Sequence, residues 1–250
     1  MSDTRRDGRP KGPGSVATAV ATVTGSAYLI VGTLVMATLA LLIGWIPPRG
    51  NLVFWVARVW GRGVLLASCV RTSVRFKGRL DPAASYVFMA NHTSLFDIPV
   101  LLSTLPSQTR FLAKRSLFQI PIFGWALTLG GFVNIDRKNL GAARDSFSAA
   151  IDRLDEGVSL LVFPEGTRSL QEEMLPFKRG GFLLALKSGL PIVPVGITGS
   201  AKVQKKGNFA IRPQPIRVHY GLPIDVGDYA VRDKQELMEE VRRRIESLRR

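Results

Sequence analysis

The chain has 250 residues, one cysteine, two histidines and a formal net charge of +15. The single cysteine, Cys69, excludes an intrachain disulfide, and so few cysteines and histidines argue against a structural zinc site. A balance this basic predicts an anionic partner, and a hydrophobic fraction of 46% favours a membrane surface over nucleic acid. The length suffices for one large α/β domain, with or without an appendage.

The N-terminal region combines a polar arm with a long apolar stretch. Residues 1–15 are rich in Gly, Pro and Arg, and we predict a disordered basic arm. Residues 16–46 carry no charge, and Tyr28–Ile46 alone approaches the about 20 residues that span a bilayer. Trp45 suits an interface, and Pro47 and Pro48 end the helix. The length of the stretch favours a retained membrane helix over a cleaved secretory signal.

A second apolar stretch, residues 51–70, is interrupted by Arg58 and Arg62, which share a helix face. It is typical of an interfacial or re-entrant helix rather than a second full span. We therefore predict that residues 16–71 form membrane-associated helices, as one span or a two-helix hairpin. Basic residues follow this stretch and predict a main domain that faces the cytoplasm: Arg71, Arg75, Lys77 and Arg79.

From residue 72 to residue 250 the pattern alternates between strands and helices, which predicts an α/β domain with a mixed, largely parallel sheet flanked by helices. Predicted strands are Ser73–Lys77, Tyr86–Ala90, Arg110–Ala113, Phe132–Ile135, Ser159–Phe163, Ile192–Ile197 and Ile216–Tyr220. Predicted helices are Ser94–Thr104, Phe123–Leu129, Leu140–Asp155, Arg179–Ser188 and Lys234–Leu248. The last helix has an apolar stripe, and we expect its face with Arg242, Arg243, Arg249 and Arg250 to meet solvent or anionic lipid.

His92 and Asp97 lie where a predicted strand gives way to a predicted helix. With His92 in the turn and Asp97 in the first helical turn, the carboxylate can fix the imidazole tautomer and stabilise its protonated form. The imidazole is then able to take a proton from a hydroxyl. Alternatively, Ser94 and Asp97 form a capping box with Ser94 as N-cap, and Asp97 only holds a helix end.

Three further stretches follow or form predicted strands. Asp136 and Arg137 follow the strand that ends at Ile135. Residues 163–169, Phe-Pro-Glu-Gly-Thr-Arg-Ser, form a loop suited to an oxyanion, because Gly166 permits close backbone approach and Arg168 offers a planar fork of donors. Glu165 is placed to orient Arg168 or to bind a substrate hydroxyl. Residues 190–196 are apolar and contain two prolines, which fits either a core strand or the wall of a lipid-chain pocket.

In this order, the four blocks resemble those of the glycerolipid acyltransferase family, best represented by bacterial lysophosphatidate acyltransferases. The family's N-H-x4-D block corresponds to Asn91, His92 and Asp97, and its apolar-D-R block to residues 135–137. Its F-P-E-G-T-R-S block is matched letter for letter, and its proline-containing strand corresponds to residues 190–195. The resemblance covers residues 72–225, and the preceding membrane helices also suit the family.

The resemblance implies transfer of a fatty acyl group from acyl-CoA or acyl-carrier protein to a glycerophospholipid hydroxyl, the sn-2 hydroxyl of 1-acyl-sn-glycerol-3-phosphate above all. It implies that His92 is the general base and Asp97 orients it. Substrate-binding residues would be Glu165, Gly166, Thr167, Arg168, Arg137 and, as a weaker candidate, Lys114. It requires no metal and no cofactor. The expected location is the inner (cytoplasmic) membrane, and the expected partners are a lysophospholipid, the acyl donor and anionic lipid, not nucleic acid.

Other functions remain open at this point. An acyltransferase of the same family that acts on glycerol-3-phosphate or on a lyso-ornithine lipid carries the same motifs. A membrane-anchored hydrolase needs a G-x-S-x-G nucleophile elbow, which the sequence lacks. A non-catalytic, basic membrane adaptor or nucleic-acid binder fits the charge but leaves the grouping of His92, Asp97, Glu165 and Arg168 unexplained.

Overall fold

The computed structural model describes residues 14–81, 83–135, 157–170 and 173–250. A seven-stranded sheet forms the centre of the described chain, as the alternating pattern predicts. Its strands are β1 (Thr72–Phe76), β2 (Val87–Ala90), β3 (Gln108–Lys114), β4 (Val133–Ile135), β5 (Val158–Val162), β6 (Ile192–Thr198) and β7 (Ile216–Tyr220). Residues 1–13 of the predicted disordered arm, Asp136, Arg137 and the predicted helix Leu140–Asp155 lie outside the described residues.

The strands follow the spatial order β1-β7-β6-β2-β5-β3-β4 and are parallel except for the β6–β7 pair. Strand β2 lies between β5 and β6, with Val87 in register with both Leu160 and Ile192. All four residues of β2 are buried. The carboxyl ends of β2, β3 and β5 therefore meet at one edge of the sheet, where α/β folds place their sites.

Besides a 3₁₀ turn at Val231–Asp233, eight helices are described: α1 (Ser15–Ile43), α2 (Asn51–Ala67), α3 (Asp97–Thr104), α4 (Arg115–Phe118), α5 (Phe123–Leu129), α6 (Arg179–Ser188), α7 (Ser200–Val203) and α8 (Lys234–Leu248). Predicted bounds of α5, α6 and α8 are confirmed. The short helices α4 and α7 were not predicted, because four residues carry too little periodicity to detect. Helix α3 begins three residues later than predicted, since residues 91–94 are needed for the turn described below.

Successive residues of β2 point to opposite faces of the sheet. Phe88 and Ala90 belong to a core shared with residues of α2 and α3. Val87 and Met89 belong to a second core, shared with residues of α6 and α8. The sheet is thus covered on both faces, which explains why its central strands are continuous apolar runs rather than alternating ones.

Helices α1 and α2 pack against each other as a hairpin. Within α1, a π-helical turn at Tyr28–Gly32 separates two α-helical parts. Trp60 of α2 donates to the hydroxyl of Thr33 at 2.9 Å, and Gly63 lies against the ring of Tyr28. Helix α2 also packs on α3, so the two-helix unit and the α/β part share a core. The boundary placed at residue 72 stays a prediction.

The outer side of the hairpin is apolar and exposed. In the described ranges α1 is the one helix both long and apolar enough to cross a membrane, with 29 residues and a mean hydropathy of 2.2 over its most apolar part. Exposed apolar side chains on the two helices include Val20, Val23, Ile30, Val31, Leu34, Val35, Leu39, Leu42, Trp55, Val59 and Leu66. So many exposed apolar side chains on a helix of this length and hydropathy indicate membrane association.

Arg58 of α2 attaches the hairpin to the C-terminal end of α3. Its guanidinium donates to the carbonyl oxygens of Leu105 at 2.8 Å and Ser103 at 3.4 Å, where the last turn of α3 leaves acceptors without helical partners. The same group lies 5.0 Å from the Trp55 ring centroid. Arg62, one turn further along α2, is exposed. The two arginines therefore have different surroundings although they lie four residues apart.

We expect Arg58→Met to lower the free energy of unfolding by about 1–3 kcal/mol, because partly buried carbonyl groups lose their donors while the apolar stem is kept. Thermal unfolding in detergent measures the change. Arg62→Met is the matched control on the same helix and should unfold close to the wild type. Equal melting temperatures for the two variants would contradict this account of Arg58.

Candidate active site

The turn after β2 is fixed to the neighbouring strand by Asn91. Its buried side-chain amide donates to the carbonyl oxygen of Ile197 at 3.0 Å and accepts from the Ile197 N–H at 2.7 Å. A side chain that replaces a ladder partner in this way ends the pairing of β2 with β6 in a defined geometry. His92, the next residue, therefore leaves the sheet edge in a fixed direction.

His92 and Asp97 are brought together, as the spacing predicts. His92 Nδ1 lies 2.8 Å from Asp97 Oδ2, and the carboxylate is fully buried as the first residue of α3. The same oxygen accepts the backbone N–H groups of Thr93 at 2.7 Å and Ser94 at 2.9 Å. An ionised Asp97 makes Nδ1 the protonated nitrogen of a neutral imidazole, and Nε2 is then the proton acceptor.

The capping alternative is correct for Asp97 only in part. Asp97 does accept the Ser94 N–H, which is one half of a capping box. Ser94 is not the N-cap, however, because α3 begins after Phe96. The Ser94 hydroxyl donates to the carbonyl oxygen of Gln204 at 2.9 Å and accepts the Phe96 N–H at 3.2 Å. One carboxylate thus both closes the turn and contacts the imidazole.

Phe163 fixes the plane of the imidazole. The rings of His92 and Phe163 stack with centroids 4.0 Å apart and an interplanar angle of 17°. Phe163 follows β5, and β5 pairs with β2, so the stacking depends on the sheet register. The His92 side chain is 12% exposed and lines the cavity described below.

Glu165 joins the two loops that leave β2 and β5. Its Oε1 accepts the His92 N–H at 2.8 Å and its Oε2 accepts the Leu175 N–H at 2.9 Å. In return, Ser169 N–H donates to the His92 carbonyl oxygen at 2.8 Å. Glu165 is 1% exposed, and this burial raises the pKa of its carboxyl although both backbone bonds act in the opposite direction. Both oxygens thus hold backbone groups, not Arg168.

Gly166, Thr167 and Arg168 line the same cavity as His92. Gly166 has φ of +70°, a backbone conformation that favours glycine, and a Cβ at this position would lie 2.9 Å from Cδ of the flexible Lys178 side chain. Lys206 donates to the Arg168 carbonyl oxygen at 2.9 Å. Lys206 therefore holds the backbone of the loop at Arg168, while Arg168 itself contributes to the cavity wall.

Lys114 ends β3 and also lines the cavity. The structure thus brings together seven of the eight predicted site residues: His92, Asp97, Glu165, Gly166, Thr167, Arg168 and Lys114. Arg137 lies outside the described residues. Among those that are described, no three His, Cys, Asp or Glu side chains are grouped as metal ligands.

His92 and the helical hairpin line one largely apolar cavity of about 570 Å³. Side chains of α1 and α2 form much of its wall: Thr33, Met36, Ala37, Ala40, Val53, Val56, Ala57 and Trp60. The sequence did not indicate this, because the apolar stretches were assigned to lipid alone. Residues 192–195 are buried in the sheet, so the core-strand interpretation of that stretch is correct.

Arg242 is a further contributor that was missed. The sequence predicts a solvent or lipid face for Arg242, but its guanidinium donates to the carbonyl oxygens of Leu175 at 3.0 Å and Met174 at 2.8 Å. It also lies 5.4 Å from the Phe177 ring centroid. The N–H of Leu175 donates to Glu165, and Glu165 in turn accepts the His92 N–H. Arg242 therefore connects α8 to the His92 turn through Leu175 and Glu165. Arg243, by contrast, is exposed and pairs with Glu240.

A family profile described as "Acyltransferase" matches residues 71–198, which contain the site. A 1-acyl-sn-glycerol-3-phosphate acyltransferase of Limnanthes douglasii is 35% identical over 183 residues, which are 73% of this chain and 60% of the relative. The human 1-acyl-sn-glycerol-3-phosphate acyltransferase alpha is 40% identical over 127 residues, 50% of this chain and 45% of the relative. The chain thus covers three-fifths or less of these curated relatives.

The crystal structure of the 1-acyl-sn-glycerophosphate acyltransferase from Thermotoga maritima superposes with a TM-score of 0.78. The match covers 93% of this chain and 96% of that one at 23% sequence identity, which establishes a common fold. The family match spans the sheet edge, the His92 turn and the loop after β5. The chain therefore belongs to the acyltransferase family.

Proposed function

We propose that the protein transfers a fatty acyl group from acyl-CoA or acyl-carrier protein to the sn-2 hydroxyl of 1-acyl-sn-glycerol-3-phosphate, giving phosphatidic acid. The observation that carries the proposal is the His92–Asp97 pair, 2.8 Å apart, with His92 in the wall of a largely apolar cavity of about 570 Å³. A proton acceptor beside a lipid-sized apolar space suits a reaction between a lipid hydroxyl and an acyl thioester. The names of the relatives support the choice of acceptor.

In the proposed reaction His92 Nε2 accepts the proton of the acceptor hydroxyl. The hydroxyl oxygen forms a bond to the thioester carbonyl carbon, the carbon–sulfur bond breaks, and the thiol leaves with the proton from the imidazolium. Buried Asp97 stabilises that imidazolium while it exists. General base catalysis supplies about 10²–10⁴-fold, and alignment of the two substrates supplies much of the rest.

The acceptor phosphate is proposed to bind at the rim of the cavity. Arg168 presents a planar set of donors there, Lys114 adds a second cation, and Thr167 adds a hydroxyl. Gly166 lets the backbone of this loop approach the ligand closely. Arg137 is proposed to bind the same phosphate, on the basis of its sequence motif.

We assign Glu165 a positioning role instead of a substrate-binding one. Its two oxygens are occupied by the N–H groups of His92 and Leu175, and the side chain is buried behind the loop. It thereby holds the general base and the phosphate-binding loop in one mutual geometry. A small displacement of either loop would separate the hydroxyl from His92 Nε2.

The cavity under α1 and α2 is proposed to hold a fatty acyl chain, because its wall there is aliphatic and aromatic. The lipid acceptor reaches it from the membrane with which the hairpin associates. We further propose the inner (cytoplasmic) membrane as the location, with the α/β part facing the cytoplasm, as the basic residues after α2 predict. The net charge of +15 supports attraction of anionic lipid and of acidic donors.

Thiol release from acyl-CoA or acyl-carrier protein by the detergent-solubilised protein tests the function, with and without lysophosphatidic acid. We expect release that requires the acceptor and that falls about 10²–10⁴-fold in His92→Ala. A melting temperature near that of the wild type would show that the variant is folded. Lack of acceptor-dependent release with both donors would reject the proposal, and glycerol-3-phosphate and a lyso-ornithine lipid would then be tested as acceptors.

Arg168→Ala is expected to raise the KM for lysophosphatidic acid about tenfold or more, because a charge-assisted contact to phosphate is lost. The KM for the acyl donor should change little. Arg179→Ala, which removes an exposed arginine at the start of α6, is the control for loss of charge alone. An unchanged acceptor KM in Arg168→Ala would exclude Arg168 from phosphate binding.

Glu165→Gln is expected to destabilise the protein by about 1–3 kcal/mol, because an amide has one acceptor oxygen for two N–H groups. Burial raises the pKa of Glu165, so the folded state keeps this proton at pH values where the unfolded chain has lost it. The carboxyl therefore contributes most at low pH, and its contribution falls as pH rises from the ordinary to the raised pKa. The difference in melting temperature between wild type and Glu165→Gln should therefore become smaller as pH rises from the ordinary to the raised pKa of Glu165.

Thermal unfolding at a series of pH values measures this difference, with Glu236→Gln on the surface of α8 as the control for loss of one carboxylate. A difference for Glu165→Gln that widens as pH rises would contradict the assigned direction.

A further inference from the structure

Residues 203–212 form a closed loop, which we call the Phe209 loop. The Arg212 N–H donates to the Val203 carbonyl oxygen at 2.8 Å and closes the base. Near the tip, Asn208 N–H donates to the Lys205 carbonyl oxygen at 3.1 Å, and Gly207 has φ of +84°. These bonds define the backbone of the loop locally, so its tip has a set shape without packing on the domain.

Phe209 extends from this loop into solvent. Its side chain is 87% exposed, more than any other large apolar residue among those the structure describes. Leu170, on the loop after β5, is 78% exposed. The Lys206 bond to the Arg168 carbonyl oxygen joins the two loops, so these exposed apolar side chains belong to adjoining segments. Two apolar side chains presented in this way indicate a binding surface rather than a core.

The Phe209 loop is attached to the membrane-associated helix α1. Ile211 is fully buried, and its N–H donates to the Thr22 hydroxyl at 2.9 Å. Its side chain also occupies the space beside Gly25, where a Cβ would lie 2.9 Å from Ile211 Cδ1. Next to this attachment, Val20 and Val23 of α1 are exposed. The loop therefore shares its support with the helix face that lipid would cover.

The loop is also basic. Lys205 at its turn and Lys202 in α7 directly before it are exposed. Exposed lysines in the same segment as a protruding aromatic ring match a bilayer surface, where the ring enters the boundary of the acyl chains and the ammonium groups meet lipid phosphates. Each lysine near an anionic surface adds favourable electrostatic energy.

We infer that the Phe209 loop is a second membrane contact, separate from the helical hairpin, and that its partner is the surface of a bilayer containing anionic lipids. The base of the loop is bonded to the His92 turn, because Ser94 Oγ donates to the Gln204 carbonyl oxygen at 2.9 Å. Helix α7, which leads into the loop, is bonded to the same turn through Ser200 Oγ and Thr93 Oγ1, 2.9 Å apart. Contact at the loop thus sets the position of the active-site turn relative to the bilayer. The inference goes beyond acyl transfer and does not depend on which acceptor reacts.

A fluorescent label at the loop tests the inference in the full chain. Cys69 is replaced by serine, Phe209 by cysteine, and the thiol is labelled with an NBD fluorophore in protein reconstituted into lipid nanodiscs, which leave both faces accessible. We expect blue-shifted NBD emission, quenching by nitroxide-labelled lipid and protection from aqueous iodide. The same label at Val231 is the matched control, since Val231 is exposed and precedes α8, on the sheet face opposite the hairpin.

A label at position 209 that iodide quenches as strongly as the label at 231 would overturn the inference. Nanodiscs of phosphatidylcholine with and without phosphatidylglycerol test whether the loop prefers an anionic lipid surface. Protection at 209 should be stronger with phosphatidylglycerol, and Lys202→Glu with Lys205→Glu should abolish that difference. Iodide protection at position 209 that changes neither with phosphatidylglycerol nor with the two lysine substitutions would overturn the assignment to anionic lipid. Because label accessibility is measured without turnover, failure here is distinguishable from failure of the proposed reaction.

Discussion

One carboxylate oxygen, Asp97 Oδ2, accepts hydrogen bonds from the His92 ring and from the backbone N–H groups of Thr93 and Ser94. These three donors come from consecutive residues, so the turn after β2 has to wrap around the oxygen. A single ionised group thereby determines the shape of the turn, the start of α3 and the tautomer of the imidazole. The proposed chemistry and the local fold depend on the same interaction.

The surrounding structure holds this turn from three directions. Asn91 fixes it to β6, Glu165 fixes it to the loop after β5, and Phe163 stacks on its imidazole. Behind Glu165, Arg242 of α8 binds the carbonyl oxygens of residues 174 and 175. The helical hairpin supplies much of the cavity wall, because residues of α1 and α2 line the same cavity as His92. The two N-terminal helices and the sheet together therefore form the site.

The sheet and most of the site were predictable because their signals are local. Buried parallel strands are apolar runs ended by glycine, proline or polar residues, and β2 and β5 lead directly into the His92 and Glu165 loops. Contacts between distant segments were not predictable. The apolar residues of α1 and α2 fit lipid and a cavity wall equally well, and Arg242 belongs to a group of helix arginines that also includes the exposed Arg243. Only tertiary packing distinguishes such cases.

The most direct test of the central claim is the turnover number of Asp97→Asn in the acceptor-dependent thiol-release assay. Asparagine keeps one oxygen for the turn but loses the charge that orients and stabilises the imidazolium, so we predict a kcat lower by about 10²–10⁴-fold with a folded protein. Asp225→Asn is the control, because Asp225 holds a surface turn through Gly227 N–H. Turnover in Asp97→Asn equal to that of the control would contradict the account.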